Sequence, residues 1–511
     1  MIYVILGQTA SGKTSLALKL AREFSLPLIG ADAFQMYKEL HIGSAKPTDE
    51  ELSGVTYHLI GSCSIKDKLS VKEYQKQCRE LLDEYLAKGQ DVIMSGGTFL
   101  YVKASLFPYE FIEEEEKDDG LEKLSKEEAF ALLEKEDPST AAVIDKDNLR
   151  RVIRAIRIAR TGTKKSDLLM KTPVPIYPCR FFSIEMDKDE GNERINKRVD
   201  QMFQSGLLEE VKGLMASYPL SAPAFQAIGY KEVIAGLKDG KKIEEIVEEV
   251  KTDTRQYAKR QRTFLRHQFP SIYSLTPEKI YEAISFDLER RRRNKPSLGF
   301  ERLNNIEKSR VAVIGLGGVG SVVADGLARL GCSEITLLDK DVVDPSNLNR
   351  QLLYDMDDLN GQKAEMALKH LKRINPLSSY ETIVDFYADK YLESGFDFVF
   401  DCIDDVKAKT QLALYCLNKG IPFISATGSA LRLDSTKFKI GTLDQTGEPL
   451  ARKFKEELKK NGFTDYSKIK ITFSTEAAEK RISLELGSNF MCPNSEGLAM
   501  LSFFISLMNA K

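Results

Sequence analysis

The sequence predicts an α/β chain of two nucleotide-type domains, a P-loop NTPase-like parallel-sheet domain followed by one of Rossmann-like plan. Two strand, glycine-turn and helix openings begin at Gly7 and Gly315, too far apart to share one sheet. The chain has 511 residues, 42% apolar and 29% charged, which suits about three folding units of roughly 150 residues each and excludes disordered or fibrous classes. Its seven cysteines include no C-x-x-C pair, so a disulfide framework and a cysteine-built zinc site are not expected, and a reducing compartment is.

Met1-Ile-Tyr-Val-Ile-Leu6 reads as a strand without a basic leader before it. The apolar C-terminal stretch from Gly497 to Ala510 is too short to cross a bilayer. No membrane partner is expected, and the expected location is cytoplasmic. After the strand, Gly7-Gln-Thr9-Ala10-Ser11-Gly12-Lys13-Thr14 matches G-x-x-x-x-G-K-T and runs into a helical pattern with Leu16, Leu20 and Phe24 on one side. Backbone N–H groups of such a turn cradle a di- or triphosphate, Lys13 adds a point charge, and Thr14 offers a hydroxyl to Mg²⁺. The motif specifies phosphate and leaves the reaction open.

The formal charge of −2 hides an uneven distribution. Residues 1–150 carry 18 basic against 27 acidic side chains, residues 151–300 carry 29 against 20, and residues 301–511 carry 27 against 29. A basic middle suits a polyanionic partner or a solvated helical surface, and charge alone favours the solvated surface. Lys251, Arg255, Lys259, Arg262 and Arg266 recur at helical spacing opposite Val250, Tyr257, Phe264 and Leu265, with Arg260 beside them. Arg150, Arg151, Arg154 and Arg157 repeat the pattern beside Val152, Ile153 and Ile156. The acidic run Glu113 to Asp119 lacks an apolar period and reads as a solvated loop or helix start. Asp287-Leu-Glu-Arg-Arg-Arg-Arg-Asn-Lys-Pro296 reads as a polar junction, and the expected boundary near residue 284 gives domains 1–283 and 284–511, the first with a basic helical part over about 140–275.

Further motifs follow the P-loop: Asp32-Ala-Phe-Gln35-Met-Tyr37, Ile42-Gly-Ser-Ala-Lys-Pro47, Ser95-Gly-Gly-Thr98, Asp137-Pro-Ser-Thr-Ala, Arg194-Ile-Asn-Lys-Arg-Val199, Ile228-Gly-Tyr-Lys-Glu232 and Thr254-Arg-Gln-Tyr-Ala-Lys-Arg-Gln261. With these, residues 1 to about 275 resemble the tRNA dimethylallyltransferases, which prenylate an adenosine. The resemblance implies that the P-loop holds the diphosphate of dimethylallyl diphosphate as a leaving group, that Asp32 is the general base for the exocyclic amine, and that Thr98 hydrogen-bonds the adenine. It implies a tRNA partner gripped at the anticodon arm, with Gln35 and the two arginine-rich stripes as contacts. Gln8 stands for the family's usual proline, Ala33 for a serine and Phe264 for a tryptophan.

The second opening is Val311-Ala-Val-Ile-Gly315-Leu-Gly317-Gly318-Val-Gly320, with Asp339 closing the next strand near ribose-reading distance. That much also fits a nicotinamide-dependent oxidoreductase. Ser346-Asn347-Leu-Asn349-Arg350-Gln351, Lys363 and Asp401-Cys-Ile-Asp404 instead resemble the ubiquitin-activating-type (ThiF) adenylating superfamily. The resemblance implies Arg350 and Lys363 on the phosphates of ATP, Asp404 on Mg²⁺ and Asp339 on the ribose, with Asp341, Asn347 and Gln351 also lining the nucleotide site. Asn360 stands where the family has a glycine. Together with Ser425-Ala-Thr-Gly-Ser429 and Phe473-Ser-Thr-Glu476, residues 285 to 511 are most similar to the tRNA threonylcarbamoyladenosine dehydratases, in which the adenylated carboxylate belongs to the modified nucleoside and no protein nucleophile is needed. Cys492 then reads as a packing residue. The expected whole is a bifunctional tRNA-modifying enzyme using ATP and dimethylallyl diphosphate, with a homodimer through the second domain left open. Carrier-protein adenylation by the second half, and a tRNA-binding scaffold with one inactive domain, are the alternatives.

Overall fold

The computed structural model describes residues 1–67, 69–109, 111, 120–142, 144–160, 174–269, 272–478 and 487–508; the run Glu113 to Asp119 and the side chain of Arg150 lie outside this description. The chain divides into two compact units, Met1–Glu282 and Ala283–Lys511.

The first unit is built on β1 (Ile2–Leu6), β2 (Leu28–Gly30), β3 (Tyr57–His58), β4 (Val92–Gly96), β5 (Cys179–Ile184) and β6 (Tyr273–Leu275), all parallel in the order β3-β2-β4-β1-β5-β6. Every residue of β1 and β4 is buried, as a strand covered on both faces requires, and this accounts for their unbroken apolar runs. The chain leaves β1 towards β4 and β2 on one side and later adds β5 and β6 on the other. The crevice at the carboxyl end of β1, where the glycine turn begins, is the ligand position that such a switch creates.

The stretch 140–275 departs from the helical expectation, because it supplies both β5 and β6 to the sheet. Cys179 of β5 pairs with Ile2 of β1 and Tyr273 of β6 with Phe182 of β5, both remote in sequence, so no local periodicity announces the pairing. The remainder is helical, including Leu149–Arg160, Lys188–Gln204 and Ile243–Gln268.

The second unit carries β7 (Arg310–Ile314), β8 (Glu334–Leu338), β9 (Ser379–Ile383), β10 (Phe398–Asp401), β11 (Phe423–Ala426), β12 (Phe438–Thr442) and β13 (Lys470–Ser474) in the order β12-β13-β11-β10-β7-β8-β9. Only β12 runs antiparallel, against β13 at the edge. The chain moves outward from β7 to β9, then returns to the other side of β7 at β10, which puts a second switch point at Gly315.

The charged segment Asp287 to Pro296 opens the second unit with Glu289, Arg292, Arg293 and Pro296 exposed and Asp287 and Arg291 buried. It lies in the helix Pro277–Leu298, where Arg290 pairs with Asp287 at 2.7 Å and with Glu307 at 2.5 Å, and the fully buried Arg291 also pairs with Glu307. Pairing makes the burial of these charges tolerable. Removing one partner of such a pair costs roughly 3–5 kcal/mol.

Candidate functional site

In the first unit the turn after β1 places Ala10 and Gly12 at φ 63° and 85°, a left-handed path that frees successive N–H groups to face one point. A Cβ on Gly7 would lie 2.6 Å from Ser11 Oγ, so the turn brings Ser11 close over the glycine. The helix Lys13–Glu23 starts there with no side-chain cap, which leaves its first N–H groups for a ligand. Thr9 differs: its N–H donates to Gln261 Oε1 at 2.8 Å and is already used.

Thr9, Lys13, Thr14, Asp32, Gln35, Arg198, Tyr257, Arg260 and Gln261 share the lining of a cleft of about 360 Å³. A Cβ on Gly97 would sit 2.7 Å from Gln261 Nε2, 3.6 Å from Lys13 Nζ and 3.7 Å from Asp32 Oδ2, so the glycine leaves open the space where these groups converge. Burial pulls the Lys13 ammonium down to about 8, partly offset by the charge of Asp32 and aggravated by that of Arg198. An anionic ligand would restore what burial removes.

Asp32 Oδ1 accepts the N–H groups of Phe34 at 3.1 Å and Gln35 at 3.4 Å, so half of this carboxylate caps a turn and is held in place by it. Thr98 is beside the cleft and not in its lining; its hydroxyl oxygen accepts the Ala33 N–H at 3.0 Å. Gln35 spends its amide N–H groups on the carbonyls of Ser44 and Ala45, both at 3.1 Å.

The basic stripe on Ile243–Gln268 needs correction. Lys251 is mostly buried between Asp200 and Glu248, Arg255 donates to Asn196 at 2.5 Å, and Arg262 donates to the side chain of Gln8. Lys259, Arg260 and Arg266 are the exposed members. The helix packs against Lys188–Gln204 and the P-loop, so cations spaced for one face are divided between packing and solvent. Gln8, at the proline position, also donates to Met186 Sδ at 3.3 Å, and its carbonyl accepts from Lys13. On Leu149–Arg160, Arg151 and Arg154 are exposed over buried Val152, Ile153, Ala155 and Ile156, as the spacing predicts.

Sequence reasoning missed Arg198, Gln261 and Tyr257 as cleft residues. Gln261 also donates to the Gly97 carbonyl at 2.9 Å and Tyr257 at 3.2 Å, which ties the long helix to the strand end that carries Gly97. Arg198 lies among buried Ile195 and Val199 on its helix, a placement that the buried period could have flagged.

In the second unit Gly315 takes φ 93°, and a Cβ there would meet the Cys402 carbonyl at 2.7 Å. A Cβ on Gly320 would lie 1.8 Å from the Gly315 carbonyl, while one on Gly317 would meet nothing closer than Gln351 Nε2 at 4.0 Å. Gly320 therefore serves close packing, and Gly317 leaves the open approach that a phosphate needs. Gly318 packs against Pro493. Asp339 is nearly buried, with Oδ2 accepting the Leu316 N–H at 2.7 Å and Oδ1 the Asp341 N–H at 2.8 Å; lone pairs remain for hydroxyl donors.

The cations here are docked locally. Arg350 donates to the Ser346 carbonyl and to Asn349 Oδ1, each at 2.8 Å, and Lys363 pairs with Asp341 at 3.3 Å. Asn360 takes φ 64°, which asparagine tolerates better than most residues, so the missing glycine is conformationally replaced. Buried Asn347 accepts the Asp344 N–H at 3.1 Å, and Gln351 Oε1 is buried without a partner. Asp404 is exposed past the end of β10, while Asp401 is fully buried against Lys409 at 2.8 Å. Cys492 is buried and its thiol pushed up, in keeping with packing.

A family model described as IPP transferase matches residues 35–268. A tRNA dimethylallyltransferase of Exiguobacterium is 38% identical over 289 residues, covering 55% of this chain and 92% of the relative. The chain belongs to the tRNA dimethylallyltransferase family. The dimethylallyltransferase unit is also similar to a eukaryotic dimethylallyltransferase solved acting on tRNA, at 27% identity and TM-score 0.51 over 56% of this chain and 79% of that one. The ThiF family model matches residues 289–465, so a prenyltransferase-type unit is fused to a ThiF-type unit. An E. coli tRNA N6-threonylcarbamoyladenosine dehydratase solved with AMP is 31% identical, with TM-score 0.41, over 42% of this chain and 91% of that one. Among the described residues no helix is long and apolar enough to cross a membrane.

Proposed function

We propose that the chain modifies tRNA twice over, at two independent sites. In the first unit the exocyclic amine of the adenosine 3′ to the anticodon attacks C1 of dimethylallyl diphosphate. The new C–N bond forms, the C–O bond breaks, and the diphosphate leaves with the electron pair. Asp32 takes the amine proton, and Lys13, Arg198 and the turn N–H groups receive the charge that grows on the leaving group. The observation that carries this reading is the single cleft shared by Lys13, Arg198 and Asp32, with cations for a diphosphate and a carboxylate for an amine. Thr98, through the Ala33 N–H, helps fix the Asp32 turn and is close enough to the site for the adenine contact. Thr14 lines the cleft and with diphosphate oxygens makes a hard-oxygen set suited to Mg²⁺, which would neutralise leaving-group charge. Exposed Lys259, Arg260, Arg266, Arg151 and Arg154 serve the anticodon arm.

In the second unit the carboxylate of threonylcarbamoyladenosine attacks the α-phosphate of ATP and pyrophosphate leaves. Attack from within the same side chain then closes a ring and expels AMP. The open face of Gly317, with Arg350 beside Gly318 and Asp339 at the neighbouring strand end, supports a nucleotide here. Exposed Asp404 has the hard oxygens for Mg²⁺. A homodimer through this unit would cover the exposed apolar side chains of Leu352, Met356, Phe490 and Met491, and light scattering tests it. The tRNA substrates put the protein in the cytoplasm. Incubating the full chain with tRNA and dimethylallyl diphosphate, or with threonylcarbamoylated tRNA and ATP, tests the two activities; AMP release driven by a diglycine-ended protein instead of tRNA would move the second unit to carrier activation.

A further inference from the structure

Glu496 is fully buried on the helix Met491–Leu507 of the second unit. Its Oε1 accepts the N–H groups of Thr427 at 3.0 Å and Gly428 at 3.2 Å and the hydroxyl of Thr472 at 3.1 Å, while Oε2 has no partner. Thr427 and Gly428 follow β11 directly, at the carboxyl edge of the sheet, and Gly428 turns there at φ 104°. The same edge carries Cys402, whose carbonyl crowds Gly315 of the glycine turn.

The charges around Glu496 do not balance if it is ionised. Arg432, from the loop after β11, is nearly buried and pairs with Glu448 at 2.9 Å, and Glu448 also accepts the Ser474 N–H and lies 3.4 Å from the Thr427 hydroxyl, which donates to the Thr472 carbonyl at 2.6 Å. Glu448 thus faces Glu496 across Thr427 with the local cation already committed. Cys402 at the end of β10 is a neutral thiol, raised by burial, and Thr472 on β13 carries no charge. Among the described residues no cation pairs with Glu496. A second carboxylate here would be an uncompensated buried charge, which proteins avoid by keeping the proton. With three donors directed at Oε1, that proton belongs on Oε2.

We propose that Glu496 acts as an uncharged carboxylic acid, a positioning residue that fixes the Thr427–Gly428 turn at the same sheet edge as the glycine-rich turn, so that the adenylating unit works only while Glu496 keeps its proton. The inference rests on the adenylation reading of that unit. Burial first, and Glu448 second, push the Glu496 carboxyl up to about 7, which places the loss of its proton within reach of ordinary assay conditions. Because the folded value lies above the unfolded one, the wild type loses stability as pH rises from about 4.5 to about 7 and no further beyond.

Glu496→Gln is the isostere of the protonated acid, and Glu496→Ala removes the acceptor. Three measurements on the full chain separate the roles. The Tm gap between Glu496→Gln and wild type should widen from pH 5 to pH 8 in favour of Gln; a gap constant with pH overturns the proton. With threonylcarbamoyl-bearing tRNA and ATP, Glu496→Gln should release AMP within about twofold of wild type at pH 6.5 and hold its rate to pH 9, while wild type falls about tenfold per pH unit above 7. Glu496→Ala should be at least about tenfold slower throughout with ATP affinity intact. A Gln variant as slow as Ala, or parallel wild-type and Gln profiles, overturns the positioning role. Failure of wild type to release AMP at any pH would sink the adenylation reading and this role with it, and the Tm gap would still report the proton alone.

Discussion

The two glycine-rich turns open alike, each on a buried parallel strand at a switch point, yet they hold their charges differently. At Gly7–Thr14 the ammonium of Lys13, the guanidinium of Arg198 and the carboxylate of Asp32 come from three elements into one cleft, latched by Gln261 from a fourth. At Gly315–Gly320 one cation comes from a turn and the other from the start of the helix Lys363–Ile374, and each rests on acceptors of the same unit, Arg350 on Ser346 and Asn349, Lys363 on Asp341. The first arrangement is fixed in advance, as the proposed stabilisation of leaving-group charge requires. The second must exchange local bonds for bonds to its ligand, so its cations are available at the cost of those contacts.

The sharpest way to break this contrast is to remove one group from each site. Asp32→Ala should slow prenyl transfer by about 10²–10⁴-fold in single-turnover assays while leaving tRNA affinity nearly intact. A rate within about threefold of wild type would take the base role from Asp32. Arg350→Ala should lower AMP release by about 10²–10³-fold without touching prenyl transfer, and loss of both activities would mean that the two sites are not independent.

These predictions rest on groups that the sequence exposes unevenly. Gly7, Gly12, Lys13, Gly315 and Gly320 were legible because their role is set by local backbone geometry, which a motif encodes. Arg198, Gln261 and Tyr257 were not, because they reach the cleft through packing of distant helices, and on the Ile243–Gln268 helix a count of cations at helical spacing could not tell Lys259, in solvent, from Lys251, clamped by Asp200 and Glu248. β5 and β6 escaped for a related reason, since their partners are remote in sequence. Arg290 and Arg291 stand in a run that reads only as a polar junction, and their pairing with Asp287 and Glu307 depends on tertiary packing that the sequence does not show.

Smaller effects sharpen the comparison. Changing Lys259, Arg260 and Arg266 together to Gln should flatten the salt dependence of tRNA binding, each lost phosphate contact removing somewhat under one unit of log–log slope, whereas Lys251→Gln should leave the slope unchanged. An unchanged slope in the triple variant would make the exposed stripe a solvated face. Diphosphate affinity at the first site should weaken as pH rises from 7 to 9, because Lys13, held down to about 8, loses the proton that a bound anion needs. Isothermal titration at three pH values reads this, and a pH-independent affinity would remove Lys13 from the diphosphate clamp.

The central claim is two independent chemistries on one chain, and nucleoside mass spectrometry of tRNA treated with the full chain tests it most directly. Dimethylallyladenosine is expected when dimethylallyl diphosphate is supplied, lost in Asp32→Ala alone, and a dehydrated, cyclised threonylcarbamoyladenosine when ATP is supplied, lost in Arg350→Ala alone. Finding only one of the two nucleosides, or finding both abolished by either substitution, would contradict it.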